Sequence, residues 1–228
     1  MTLTAVDINQ IKQFVSKRGF TEPDLQMEII DHVCCRVEEL MAAKPTLLLT
    51  DAIGLVHSEF GPLGFSVFED SMRSNLRTRY LRMFKQNLYT VVNWKTIPLM
   101  LGIGYLLSIL FNSIQRPQYL FGVTGFLMLL VLIFYAIANE IRFKRYSRML
   151  TFKTGNSYLL ISTTAFQVYN LLFIQLKVYQ RLQEEFMGIV WALVILLLSV
   201  IFYAINKTQL HAIEACKELE EKYTLVNG

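Results

Sequence analysis

The sequence predicts an all-α fold: a polytopic membrane protein with a small N-terminal cytoplasmic helical domain and a four-helix transmembrane bundle. Three observations predict it. First, 54% of the 228 residues are hydrophobic, whereas a soluble domain sits nearer ~45–50% even when glycine is counted. Second, the excess is gathered into four uncharged runs, 97–114, 119–138, 158–176 and 187–205. Each has about the length that crosses ~30 Å of hydrocarbon at ~1.5 Å per residue. Third, charge is segregated along the chain. Residues 1–70 hold 5 basic and 11 acidic side chains, a net of −6. Residues 71–95 hold Arg73, Arg77, Arg79, Arg82, Lys85 and Lys95 without an acid, a net of +6. Residues 140–156 hold Arg142, Lys144, Arg145, Arg148 and Lys153 against Glu140, a net of +4. Basic loops stay on the cytoplasmic side, so both segments mark the cytoplasm, and four crossings place both termini there. The polar, acidic opening lacks the basic and apolar pattern of a signal peptide, so the first span is expected to serve as the targeting signal.

Each element follows from its residues. Asp7 is placed to cap a first helix carrying Ile8, Ile11 and Phe14 or Val15, ended by Gly19. Thr21-Glu22-Pro23-Asp24 reads as a second helix start: a capping Thr, Pro in the first turn and an acid three residues after the cap. That helix runs to about Ala43, before Pro45, with Leu25, Ile29, Val33, Val37 and Leu40 at helical spacing. Thr50 and Asp51 open a third helix with Ile53, Val56 and Phe60, closed by Gly61. Three short helices make a marginal core, so this domain, 1–70, is expected to lean on the bundle, a partner or a second copy. Residues 71–95 read as a basic amphipathic juxtamembrane helix, part of one long helix from about 66. Arg73, Arg77, Arg79, Arg82 and Lys85 are its candidates for anionic lipid headgroups. The plainer reading is a positive-inside stop signal. An electrostatic contact with the acidic domain is also expected.

The bundle occupies 96–206. Its third span carries Thr163, Thr164, Gln167 and Asn170, a polar face expected to turn away from lipid. Interhelical hydrogen bonds account for it, and a polar ligand site is the sharper alternative. LIFYAIAN (132–139) and VIFYAIN (200–206) share a word 68 residues apart, consistent with a duplicated two-helix unit. Gly102, Gly104, Gly122 and Gly125 are read as close-packing points, since no phosphate-loop spacing is present. A cytoplasmic helix, 207–228, follows, with Leu210, Ile213, Cys216 and Leu219 recurring every three residues.

The chemistry-bearing cluster is EIIDHVCC (28–35). Glu28, His32 and Cys35 share a helix face, and Glu39 extends it. Such spacing can hold metal ligands, which gives the reading of a metal- or thiol-responsive switch. The plainer reading is a solvated helix face with no metal. Cysteines 34, 35 and 216 all fall in cytoplasmic segments, where disulfides are disfavoured. The span interiors hold no Asp, Glu, Lys, Arg or His, which counts against a pump or coupled transporter. No nucleophile motif, HExxH or paired CxxC appears, so no enzyme and no cofactor are expected. The acidic N-terminal region excludes direct nucleic-acid binding.

The N-terminal region resembles the HAAS-type domain, the helix-turn-helix-associated α-helical signalling domain of bacterial membrane proteins that accompany PadR-like regulators. LQMEIIDHVCCRVEELM carries the resemblance through Leu25, Glu28, Asp31, His32, Glu38 and Glu39. TDAIGLVHSEFG continues it through Asp51, Ala52, Phe60 and Gly61. It covers about residues 8–70 and does not require Cys34 or Cys35. The resemblance implies a bacterial inner membrane protein of multi-pass topology, whose cytoplasmic domain docks a soluble cytoplasmic protein such as a transcription regulator. Glu28, Asp31, His32 and Glu39 are the candidate docking residues, and a homodimer is a further expectation. The alternative is an accessory subunit of a membrane transporter, docking through the Gln167 and Asn170 face.

Overall fold

The computed structural model describes residues 2–227, with side chains over 2–222. Among these residues every regular element is a helix: α1 (Ala5–Ser16), α2 (Pro23–Ala43), α3 (Leu49–Glu59), α4 (Ser66–Val91), α5 (Ile97–Asn112), α6 (Tyr119–Arg142), α7 (Leu150–Asn156), α8 (Leu159–Tyr169) and α9 (Glu184–Asn227). A π-helical stretch, Asn170–Gln175, follows α8 directly. The chain packs as two compact units. The first comprises Met1–Arg79, Arg145–Thr154 and Ala215–Gly228, and the second Tyr80–Lys144 and Gly155–Glu214.

The first unit is centred on α1, α2 and α3. The cap of α1 is Thr4 rather than Asp7: Thr4 Oγ1 accepts from the Asp7 amide, and Asp7 Oδ2 accepts from the Thr4 amide at 2.8 Å. Asp7 is thus the reciprocal third residue of a capping box. Helix α2 likewise departs from expectation. Its cap is Glu22, without a side-chain bond to the helix, and Pro23 takes the first turn. Leu25, Ile29, Val33 and Val37 form its buried stripe, packed with Ile11, Val15, Ala52, Ile53 and Val56. Gly19 (φ 88°) and Gly61 (φ 71°) adopt the left-handed conformation that ends α1 and α3.

The expectation that this core leans on something further is answered within the unit. Leu150 of α7 is completely buried in it, and Phe65, Phe68, Met72 and Leu76 join from the start of α4 and the turn before it. The compact unit therefore extends beyond the expected 1–70 domain. It takes up part of the expected 71–95 helix, the connection 145–154, and the end of α9. Helix α4 buries Tyr80 and Phe84 and packs Phe68, Met72 and Leu76 partly against the core. At ~100° per residue its cations point in directions spread around the axis. It ends at Val91 because the Asn93 side chain accepts from the Lys95 and Thr96 amides (2.9 and 3.2 Å), a turn that competes with the helix.

Three helical stretches are long and apolar enough to cross a membrane: Tyr119–Arg142, Leu150–Gln175 and Glu184–Lys222. The expected first span is shorter than 97–114. Helix α5 has 16 residues, about 24 Å at ~1.5 Å per residue.

In the second unit α9 is the common partner. Helix α5 runs antiparallel to it, with Gly104 against Leu196 and Asn112 against Gly188. Helix α6 runs parallel to it: Trp191 Nε1 donates to Thr124 Oγ1 (3.0 Å), and Tyr135 meets Phe202 edge-on at 5.1 Å. That offset brings the two FYAI words side by side, but in unequal settings. Tyr135 is half-buried in a hydrogen bond, whereas Tyr203 is 42% exposed. Helix α8 packs on α6 through Tyr169, whose ring lies on Gly125 and whose hydroxyl donates to the Phe121 carbonyl (2.6 Å). Of the four glycines read as packing points, Gly104 and Gly125 meet a neighbour, while Gly102 and Gly122 face open space.

The two ends of the second unit differ. Toward the loops 113–118 and 176–183 lies an aromatic cluster of Phe111, Phe121, Tyr169, Phe173 and Trp191, with Phe121 stacked between Phe173 (5.1 Å) and Tyr179 (4.8 Å). At the opposite end lies a polar node. Gln209, 1% exposed, accepts from Tyr135 (2.7 Å) and Asn139 (3.1 Å) and donates to Asn156 Oδ1 (2.6 Å). At the adjacent position, Asn87 donates to Thr208 (3.2 Å). Buried polar groups need such partners, and here they join α4, α6, α7 and α9. The expected stripe Leu210, Ile213, Cys216 and Leu219 is only partly inward: Ile213 and Cys216 are buried, but Leu210 is 43% exposed.

Candidate functional site

The candidate docking residues lie on the outer face of α2. Glu28, Asp31, His32 and Glu39 are all exposed, as is Cys35 between them. The helix presents them because the opposite face is committed to the core. The His32 ring is steadied against Phe60 and Phe68, each 5.8 Å away between centroids. Arg36 ties this face to α3: it binds Glu39 at 2.6 Å and Glu59 at 2.9 and 3.1 Å. Its guanidinium holds the Glu59 carboxyl below its ordinary pKa. The result is an ordered, acidic, solvent-facing ridge.

The same face bears on the metal and thiol reading. Among the described residues no group of three His, Cys, Asp or Glu side chains is brought together to hold a metal ion. Burial, reinforced by the Asp31 charge, pushes the Cys34 thiol up to about 11. Cys216 is pushed up to about 12 by burial and then by Asp24, so neither supplies a ready thiolate. His57 is packed against Phe14 and Phe65 (5.7 and 5.0 Å), and burial lowers its pKa.

The most constrained polar group of the first unit was read from the sequence only as a local helix start. Asp24 is 1% exposed. Its two carboxylate oxygens accept from the backbone amides of Leu150 and Thr151, both at 2.8 Å. It caps α7, a helix 126 positions away, rather than its own. Beside it, Glu22 pairs with Lys153 (2.8 Å) and stands 3.7 Å from Arg73. Burial works against ionisation of Glu22. The Lys153 ammonium and the Thr21 hydroxyl outweigh it and hold the carboxyl below its ordinary pKa. The signal in the sequence was the pair of acids at 22 and 24 facing a basic connection at 144–153, but distance in sequence concealed the match.

Of the candidate headgroup cations, Arg73 is engaged within the first unit, by Glu69 (2.7 Å) as well as Glu22. Arg73 stays 45% exposed despite these pairs. Arg77, Arg79, Arg82 and Lys85 remain exposed.

In the apolar run 158–176, expected to turn its polar face away from lipid, Thr163, Thr164 and Gln167 are exposed and Asn170 half-exposed on the outside of the second unit. The inward positions are taken by Ser162, Tyr169 and Phe173. Tyr169 and Phe173 reach the aromatic cluster across the wide π-helical turn, and their bulk decides which side of the helix faces the bundle. Thr163 and Thr164 both donate to the Leu160 carbonyl (2.9 and 2.8 Å). Asn170 accepts from Gln175 (3.0 Å). Compared with protein-family models, curated proteins and solved structures, the chain matches none of them.

Proposed function

We propose that this chain is a signalling or accessory protein of a bacterial inner membrane, with four spans and both termini cytoplasmic, whose acidic α2 face docks a soluble protein. The observation that carries the reading is the make-up of the first unit. Its three chain segments precede α5, separate α6 from α8, and end α9. Segments packed in one compact unit are expected on one side of a membrane, so an even number of crossings separates each from the next. An even number favours a crossing by α5 despite its length, and its antiparallel packing on α9 supports that reading. Tilting and local thinning of the bilayer accommodate a helix a few ångströms short. The basic connection 145–154 within this unit supports a cytoplasmic location.

In mechanism, the docking face and the link between the second and third spans belong to one packed unit. A partner bound on Glu28, Asp31, His32 and Glu39 is therefore held next to the segment that Asp24 clasps. The net negative surface suits a basic partner, such as a regulator with a DNA-binding face. The likeness of residues 8–70 to the HAAS-type pattern favours the same class of partner.

Two experiments test the reading. For topology, in a Cys35→Ser background, Gln115→Cys should react with a membrane-impermeant maleimide in intact cells, and Ser74→Cys only after permeabilisation. The reverse pattern, or labelling of both, overturns the four-span arrangement. For docking, a tagged full-length chain is recovered from its host in mild detergent beside a Glu28→Lys/Asp31→Lys/Glu39→Lys variant. A soluble protein retained by the parent and lost from the variant is expected. Equal capture by both overturns the docking face. A membrane protein retained by both chains would instead favour the transporter-accessory alternative.

A further inference from the structure

Gln167 combines three properties that a membrane protein seldom leaves together. It stands at the centre of the third apolar run, 158–176, nine residues from either end. It is exposed on the outside of the second unit. The threonine hydroxyls beside it bond to the Leu160 carbonyl, and Asn170 bonds to Gln175, but the Gln167 carboxamide makes no hydrogen bond to any described residue. Lipid tails offer neither donor nor acceptor, and an unsatisfied amide in hydrocarbon costs several kcal/mol. The group is therefore matched by another chain.

We infer that the third span is a homodimer interface in which Gln167 of one copy pairs with Gln167 of a second. The chemistry of the side chain selects this partner. A carboxamide carries two N–H donors and a carbonyl acceptor, so two of them facing each other satisfy both through reciprocal N–H···O bonds. A neutral amide gives no preference for a charged partner. Copies of one chain enter the membrane in the same orientation, so a two-fold axis along the membrane normal sets the two residues at equal depth. Such an axis makes the contact isologous, each residue meeting its own counterpart.

The surroundings fit a helix seam. Leu160, Thr164, Gln167 and Leu171 follow a 4-3-4 spacing and all are exposed, the repeat by which two helices interlock. With their hydroxyls turned back on the backbone, Thr163 and Thr164 present small surfaces that allow close approach. An apolar groove of about 530 Å³ borders the seam, lined by Thr164, Val168 and Leu172 on one side and Val194, Leu197 and Ile201 on the other. The proposal rests only on Leu150–Gln175 crossing the bilayer, and is independent of the docking face.

The test uses the full-length chain, labelled with donor or acceptor fluorophore and reconstituted into phosphatidylcholine vesicles at decreasing protein-to-lipid ratio. Energy transfer that persists on dilution and weakens roughly tenfold in apparent affinity in Gln167→Leu is expected. Gln167→Asn, which keeps the amide, should retain part of it. In native membranes and a Cys35→Ser background, oxidation should cross-link Gln167→Cys but not Phe134→Cys, which is 74% exposed on α6. Inserted monomers without energy transfer, equal affinity in Gln167→Leu, or equal cross-linking at both positions overturns the homodimer. So does a different membrane protein that co-purifies stoichiometrically with the parent and is lost in Gln167→Leu. A chain extracted from vesicles by alkaline carbonate would instead overturn the membrane reading itself.

Discussion

Asp24 caps the helix that begins at Leu150: its Oδ1 accepts from the Leu150 amide at 2.8 Å, while Oδ2 takes the next amide. A helix of 7 residues has little stability of its own, so this carboxylate and the burial of Leu150 hold the connection 145–154 in the first unit.

Replacing Asp24 by Ala leaves two buried amides without partners, which costs about 1–3 kcal/mol each when no water enters. The expected outcome for Asp24→Ala is a lower melting temperature in detergent and new tryptic cleavage at Arg148 and Lys153. Asp24→Asn, with one acceptor oxygen left, should fall between. An unchanged tryptic pattern would show that the clasp does not hold the connection.

The Glu22–Lys153 pair predicts an acid limb to stability. The folded pKa of Glu22 lies below its ordinary 4.5. A depressed carboxylate contributes stability that is complete above the unfolded value and is lost as pH falls through the folded one. Thermal unfolding of the parent and Glu22→Gln should therefore differ at pH 7 and draw together progressively as pH falls below 4.5. A difference that persists undiminished at pH 3 would assign it to packing instead of charge.

Gly155 approaches Ala212 so closely that a Cβ on Gly155 would overlap the alanine methyl. Gly155→Ala should destabilise by about 1–3 kcal/mol, the usual cost of overpacking. Ala212→Gly should recover part of it in the double variant, and additive losses in that variant would refute the contact.

The cysteines should separate by reactivity. With burial raising Cys34 to about 11 and Cys216 to about 12, both remain protonated thiols near neutral pH and react slowly. Maleimide at pH 7 should modify Cys35 first, near one equivalent per folded chain, with the other two following on denaturation. Mass spectrometry of the peptides reads the order.

The helices themselves were legible because their determinants are local. The stripe Leu25, Ile29, Val33 and Val37 repeats at the helical period, and Gly19 and Gly61 stop helices wherever those helices pack. Two caps were misread for the same reason. Thr4 and Asp7 form a box that shifts the start of α1 by three residues. Asp24 stands three residues after Thr21, as a local helix-start reading expects, and is nevertheless drawn to α7, where it accepts from two buried amides. The outer face of α2 was legible as what remains once the core stripe is assigned. The polar face of 163–170 was legible as a face, but which neighbour it meets was not, because that depends on the packing of Tyr169 and Phe173 against residues far away in sequence.

The sequence alone determined the all-helical class, the apolar stretches, the separation of acidic and basic segments and the polar ridge on α2. All of these follow from composition and from interactions within a few residues. Tertiary structure decided what depends on residues far apart. It brought Leu150 into the N-terminal core and gathered Tyr135, Asn139, Asn156 and Gln209 into one node. It also turned Tyr169 and Phe173 inward, so that Gln167 faces out. Each of these is a competition among side chains for one buried space, and the competitors meet only when the chain has folded.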